Sequence, residues 1–531
     1  MSQVESEPLP HEPSCSQVLE NQDILSLIFD HFLVEPLIEE PQNEDQRTKY
    51  REDKKHLLWA ALVSRAFAEP ALDVIWRRME SLLPLFKIFP NFDLFNDLYT
   101  FKGHVSEAAI DRFDQYARRI QILDFCEDSP RHAIASHALL YLSRIGLSSP
   151  LLPALHSISI HASNPELTNT LLFIQPTNIV NLSSLKLDAS NEDSFSLFLV
   201  TLSQGAGDLQ RMGLEGDIRS RIVHGLAGLS QLQYVDLEMK SGSHTEDLME
   251  KLALIPSLTH LYVTIGEGVN VAAQSSKNVL WFPALNSLSI TGDALKTSNL
   301  TARCRLPRLE TLDITWTSVS QQAIRDKVLK TTVRTLTSGT SHLNTLRLSG
   351  SREMGNKTAL SSSVFDLSVF SKVQEIHVVG LNPKLSDGQV QKLAESGSWS
   401  SLQILDIPDC SDSKSLTLRS LHFIARHCPN LRTLNMRVYI NTENIKSLKE
   451  EMLIHPVLVH PLNTLHIGRW NDEKFVGNTF SLGVITARYL DCLFPFLEVF
   501  GRGTWDRDQD WWVGIQETLE GFREIRREIW G

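Results

Sequence analysis

The chain has 531 residues, a formal net charge of -12 at pH 7 and 42% hydrophobic residues. That length allows a large core or two to three units, and the acidic balance argues against general binding to nucleic acid or anionic membranes. No apolar run reaches the ~18 residues needed to span a bilayer.

Residues 1–18 are polar, acidic and proline-containing, which predicts a disordered N-terminus without a secretory signal. Cys15, Cys126, Cys304, Cys410, Cys428 and Cys492 are scattered without a CxxC pair, the pattern of reduced thiols. Cytoplasmic or nuclear localisation, or both, is expected. Residues 19–80 read as a small helical domain. Ile24, Leu25, Ile28, Phe29, Phe32 and Leu33 form one apolar stripe. Leu58, Leu62, Val63 and Phe67 form a second, and Leu72, Ile75, Trp76 and Met79 continue it beyond Pro70, which is placed to open a new helix in its first turn. Between them, residues 34–55 mix both charge signs with Pro36 and Pro41 and read as a mobile charged loop. Three short helices make a marginal core by themselves, so the module is expected to complete itself against a partner.

The order of these segments resembles the F-box, in particular that of the F-box proteins of mushroom-forming fungi. Asp23-Ile24-Leu25 and Ile28-Phe29 match the first-helix motif, Leu62-Val63-Ser64-Arg65 with Phe67 the middle segment, and Ile75-Trp76-Arg77 the closing Leu-Trp-Arg. The Leu-Pro that opens the family motif is replaced by Glu20-Asn21, and the 34–55 spacer is longer than usual. The resemblance implies docking to a Skp-type adaptor, and through it to a cullin ligase. The adaptor surface would be drawn from Ile24, Leu25, Ile28, Phe29, Leu33, Leu58, Leu62, Val63, Phe67 and Trp76.

A helical connector comes next at 81–117, dense in phenylalanine, with a helix beginning near Ser106 that carries Ile110, Phe113 and Tyr116 on one face. From 118 to 500 an apolar-x-x-apolar-x-apolar unit recurs. It runs from Ile120-Leu123-Phe125 through Leu232-Val235-Leu237, Leu258-Leu261-Val263 and Leu285-Leu288-Ile290 to Leu462-Leu465-Ile467, with a degenerate last copy at Leu497-Phe500. Successive starts are 23 to 35 residues apart, by subtraction of their numbers, a leucine-rich-repeat period with insertions. Each unit supplies a short strand with alternate side chains inward, and a single unit cannot bury its apolar side alone. Segments such as those after His244, Ser320 and Thr417 are amphipathic and read as return helices. Prolines at 153, 256, 283, 307 and 429 keep register with the repeat and end those helices. The expected fold is α/β: parallel strands on a concave face, helices on the convex face. Residues 501–531 supply a C-terminal cap, with Trp512, Ile515, Leu519, Phe522, Ile525 and Ile529 on one helix face. Cys410, three residues past Ile407, matches the buried cysteine of such repeats in F-box proteins.

No nucleotide-binding, zinc-protease or serine-hydrolase motif occurs. Cys428 reads as a small buried hydrophobe rather than a metal ligand with His422 and His427. No cofactor, metal site or catalytic residue is expected. Two rows face outward from the strands, Ser184-Arg211-Tyr234-His260-Ser287 and Lys186-Gly213-Asp236-Tyr262-Ser289. Aromatics and arginine are enriched at binding hot spots, so Arg211, Tyr234, His260 and Tyr262 are the candidates for contact with an unidentified target protein. The expected function is non-catalytic: recruitment of that target to a Skp–cullin–F-box type ubiquitin ligase. The alternatives are a plain interaction scaffold capped by F-box-like helices and, further off, a GTPase regulator.

Overall fold

The structure is a computed structural model. It describes residues 21–32, 44–125, 133–142, 144–145, 150–160, 179–187, 192–205, 208–226, 228–240, 243, 245–271, 279–318, 342–350, 372–381, 383, 385–397, 399–408, 416–440, 442–454, 459–470, 479–502 and 509–530. The expectations for 1–18, for Leu33, for Cys410 and for the return helix after Ser320 fall outside these residues. The chain divides into two compact units, Met1–Glu215 with Arg221–Leu232 and Gly216–Ser220 with Gln233–Gly531.

The first unit opens with three helices, α1 (Gln22–Phe32), α2 (Glu44–Val63) and α3 (Arg65–Arg77). Residues 44–55, expected as loop, are helical. Their charged residues are good helix formers. Tyr50, Leu57 and Ala61, spaced by seven and four, turn one side inward, with the first two buried and Ala61 packed against them. The break between α2 and α3 falls at Ser64, whose hydroxyl accepts the Ala66 N–H at 3.2 Å. That is a serine N-cap. Pro70 therefore lies inside α3 and does not open it.

The connector also differs from expectation. Between a single turn at Leu83–Phe86 and the helix Glu107–Ala117, residues Phe92–Phe95 and Leu98–Phe101 form an antiparallel hairpin. Its two-residue turn places Asn96 and Asp97 at φ 49° and 63°. Asn and Asp tolerate that left-handed geometry, and a two-residue hairpin turn with two positive φ values suits the strand twist. Phe86, Phe89 and Phe113 stack beneath it.

Parallel strands then succeed one another in chain order. In the first unit they are Arg78–Met79, Ile122–Phe125, Ser157–Ile160, Asn181–Leu187 and Arg211–Gly216. In the second they run Tyr234–Met239, His260–Ile265, Ser287–Gly292, Thr311–Trp316, Thr345–Gly350, Glu375–Val379, Ile404–Ile407, Thr433–Tyr439, Thr464–Trp470 and Val499–Arg502. Each unit is thus a stretch of leucine-rich-repeat solenoid of the α/β class. The sheet begins at Arg78–Met79, ahead of the first recognisable repeat, because the tail of α3 pairs in register with Ile122 and Leu123.

Leu261, for example, pairs with Val235 on one side and Leu288 on the other, so like positions meet across the strands. The repeat leucines are buried throughout the described residues. Between strands, one carbonyl per repeat accepts two N–H groups from the next: Gln233 takes Thr259 and His260 at 2.9 Å each, and Gln403 takes Arg432 at 2.8 Å and Thr433 at 3.0 Å. A carbonyl has two lone pairs, and this repeated use of both fixes the register. The prolines sit in turns that precede the strands. Leu155, Leu258, Leu309 and Leu431 donate to the carbonyls of Leu152, Ile255, Leu306 and Cys428, which places each proline second in a β-turn, where its fixed φ fits. The first leucine of each unit belongs to this turn, and the strand starts two residues later.

Return helices include Thr245–Ala253, Ala294–Thr301, Asp387–Glu395 and Arg419–His427. The C-terminal helix Gln509–Trp530 buries Trp511, Trp512, Ile515 and Leu519, with Trp512 against Phe500. Its apolar stripe does not stay buried to the end, because Ile525 is exposed. The side chain of Ile529 lies outside what is described.

Candidate functional site

The helical module sorts its apolar residues into two classes. Leu25 and Phe29 of α1, Tyr50 and Leu57 of α2, and Ala71 and Val74 of α3 form its buried core, with Phe67 and Ile75 packed against it. Phe29 and Phe67 meet edge to face, ring centres 5.7 Å apart. The other class is left uncovered. Leu62 is 77% exposed, Val63 75%, Trp59 61% and Leu58 48% at the end of α2. Leu27, Ile28 and Phe32 are exposed on α1. On α2 these residues are paired at spacing four, Leu58 with Leu62 and Trp59 with Val63, as are Ile28 and Phe32 on α1, so each set lies along one helix face.

Of the residues expected at an adaptor surface, Ile28, Leu58, Leu62 and Val63 are therefore available. Leu25 and Phe29 are core, and Ile24 and Phe67 are half-buried. Trp76 lies elsewhere: its ring packs on Tyr116 at 4.8 Å, fastening α3 to the helix that leads into the repeats. Trp59, Leu27 and Phe32 belong to the exposed set and were not among the residues expected at that surface, although Phe32 was read as part of the first-helix stripe. Trp59 stands one residue from Leu58 and four from Val63, a signal that was readable.

The module is tied down by charge as well. Arg78 and Asp124 form an ion pair with both side chains almost wholly buried. The Arg78 carbonyl accepts a hydrogen bond from Lys54 Nζ at 2.8 Å, and the Arg78 guanidinium lies over the Tyr50 ring. Arg119 pairs with Glu69 and Asp73, one turn apart on α3, and Arg77 pairs with Asp30 of α1. A cleft of about 450 Å³ beside these groups is lined by Ser26, Pro70, Asp73, Arg77, Arg118 and Arg119, among others. Arg77 and Arg119 are already engaged by carboxylates, so its charge is largely balanced.

The second candidate lies on the strands of the second unit. Tyr234 opposes His260, and Asp236 opposes Tyr262. The rings of Tyr234 and Tyr262 are 5.0 Å apart, and Tyr234 and His260 are stacked at 6.1 Å. All three are half-buried and outward-facing. Arg211 is exposed at the head of its own strand in the first unit. Further along the outward rows, Glu375 accepts from Thr345 Oγ1 at 3.3 Å and approaches Arg347 Nη2 at 3.8 Å. Asp406 lies 3.2 Å from His377 Nδ1 and accepts from Asn435 Nδ2 at 2.8 Å. Burial raises the pKa of Asp236, with help from the neighbouring Glu238 charge. Burial raises that of Asp313 too, partly offset by Arg347 and His377.

Among the described residues, no cluster of three or more His, Cys, Asp or Glu is placed to hold a metal ion, and no helix is long and apolar enough to cross a membrane. Cys428 is buried, and burial pushes its thiol up to about 12.

No protein-family model matches the chain, and no curated protein matches it. Among solved structures it is similar to the yeast complex of Rad7 and Elc1, with 13% identity, 82% of this chain and 96% of that chain covered, and a TM-score of 0.30. It is also similar to a leucine-rich-repeat protein of Leptospira interrogans, with 12% identity, 73% and 99% covered, and a TM-score of 0.26.

Proposed function

We propose that this chain is the non-catalytic, substrate-recruiting subunit of a Skp–cullin–F-box type ubiquitin ligase, working in the cytoplasm, the nucleus or both. The observation that carries this is the exposed apolar set on α1 and α2, in a module whose sequence resembles the F-box. Leu27, Ile28, Phe32, Leu58, Trp59, Leu62 and Val63 are left to water by a domain that has already closed its own core. Covering them with a Skp-type adaptor removes that apolar surface from solvent, in an interface of roughly 1,600 Å² or more. The solenoid then holds a target protein near the ligase, so the chain's contribution is proximity. Tyr234, His260 and Tyr262 are the contact residues on the second unit, and Arg211 on the first.

The second reading is an interaction scaffold whose helices only cap the repeats. The Arg78–Asp124 and Arg119–Glu69 pairs favour it, since they fasten α3 and its tail to the start of the first repeat. Capping accounts for α3, but not for the uncovered end of α2. Affinity purification from the chain's own cells with mass spectrometry decides between the two. The ligase reading requires a Skp-type adaptor and a cullin to co-purify with the wild-type protein. Their absence from a fresh preparation sinks it.

A further inference from the structure

The four strands Tyr234–Met239, His260–Ile265, Ser287–Gly292 and Thr311–Trp316 present twelve outward side chains in three rows. They hold three carboxylates, Asp236, Glu238 and Asp313, and no lysine or arginine. The rows' next strand brings Arg347, which opposes Asp313 across the strands and with His377 offsets part of the rise in its pKa, while its guanidinium also approaches Glu375. Asp236 and Glu238 lie two residues apart on one strand and both reach solvent, although the neighbouring strands strip part of the water from the Asp236 carboxylate, and neither makes a hydrogen bond or ion pair among the described residues. Beside them the Tyr234 and Tyr262 rings form a shelf. Small hydroxyl residues, Ser287, Ser289 and Thr311, floor the space towards Asp313.

We infer that this face takes a basic, extended segment of the recruited protein, one arginine lying on the Tyr234–Tyr262 shelf beside Asp236 and Glu238, and a second cation reaching Asp313. A guanidinium is attracted to the faces of tyrosine rings and forks onto carboxylates at the same time, which a neutral side chain cannot do. The spacing of the two cations is set by the register. Asp236, Tyr262, Ser289 and Asp313 are successive partners across the strands. Three strand spacings of ~4.8 Å separate the two aspartates by about 14 Å, which an extended segment covers in about four residues at ~3.4 Å each. The favoured segment therefore carries its cations four residues apart and crosses the strands. The raised pKa values of Asp236 and Asp313 fit the same surface, since each carboxylate gains from a cation that replaces lost water. The inference rests on reading the solenoid as the target-binding part of the chain, and it does not depend on the adaptor.

The test uses the purified full-length protein and a short fluorescent glycine–serine peptide with two arginines four residues apart, monitored by anisotropy at low salt. Replacing both arginines by citrulline, a neutral isostere, is expected to weaken binding by about tenfold or more. Asp236→Asn and Tyr262→Ala should each weaken it with unchanged melting temperature. Asp313→Asn should abolish the benefit of the second arginine but not of the first. Moving the arginines to adjacent positions should also cost affinity. Equal binding of the citrulline peptide, no binding of the arginine peptide, or indifference to Asp236→Asn and Tyr262→Ala overturns the inference. Adaptor co-purification, scored on the same proteins, separates the two ideas. An adaptor with no peptide binding refutes this inference alone, and peptide binding with no adaptor refutes the ligase reading alone.

Discussion

Leu62 is the sharpest place to perturb the proposed adaptor docking. Full burial of a leucine side chain contributes ~1.5–3 kcal/mol. With 77% of Leu62 exposed in the free chain, about three-quarters of that, ~1.1–2.3 kcal/mol, remains to be gained on docking. Leu62→Ala forfeits most of it, so adaptor binding should weaken roughly 5- to 40-fold at ~1.4 kcal/mol per decade. Leu62→Asp additionally places an unpaired charge in an apolar interface and should abolish co-purification. Neither change touches the module's core, so stability should move by no more than ~0.5 kcal/mol. Leu57→Ala is the internal contrast. That neighbour is 1% exposed, and its truncation should cost the fold ~2–5 kcal/mol. Ile28→Asp is a less clean probe, because Ile28 is only 39% exposed and its loss perturbs the module as well. Titration calorimetry with purified Skp-type adaptor, paired with circular dichroism melts, reads both quantities. Adaptor affinity within twofold of wild type for Leu62→Ala, at unchanged melting temperature, refutes the placement of the interface.

Three further outcomes are expected. Asp124→Ala leaves Arg78 charged and buried without its partner, and should cost ~3–5 kcal/mol in urea unfolding, whereas loss of the exposed Lys102–Asp93 pair should cost under ~1 kcal/mol. His460 is held neutral: its Nδ1 accepts the Leu462 N–H at 3.1 Å, so Nε2 carries the proton and donates to the Cys428 carbonyl at 2.8 Å. Burial lowers its pKa from the ordinary 6.5, so the unfolded chain binds the proton first and stability falls as pH drops below about 6.5; urea titrations of wild type and His460→Gln at pH 7 and pH 5 should show a smaller pH loss in the variant. Cys304 and Cys428, both pushed by burial up to about 12, should resist a maleimide reagent in the native state and react on unfolding; rapid labelling of either in native protein would show that its repeat opens locally.

The repeat architecture was legible in the sequence because each unit meets a near-copy of itself. Leu258, Leu261 and Val263 face the same surroundings as Leu285, Leu288 and Ile290, so a local pattern suffices to predict burial, register and the outward rows. Tyr234, His260 and Tyr262 could be grouped for the same reason: in-register parallel pairing turns sequence position into spatial position. The helical module offers no such repetition. Its stripes identified helices, but a stripe does not say which neighbour it meets. Only packing decided that Leu25, Phe29 and Leu57 close the core while Leu58, Leu62 and Val63 stay outside it, and that Trp76 serves the junction with Tyr116. The charged stretch at 44–55 misled because its composition is equally that of a solvated loop and of a helix's outer face. Tyr50 and Lys54 settle it through Arg78, a residue 28 and 24 positions away by subtraction. Arg78 in turn enters the sheet only because Ile122 is there to pair with it. The contacts between segments of like sequence were written in the chain; those that unlike segments make on meeting one another required the tertiary structure.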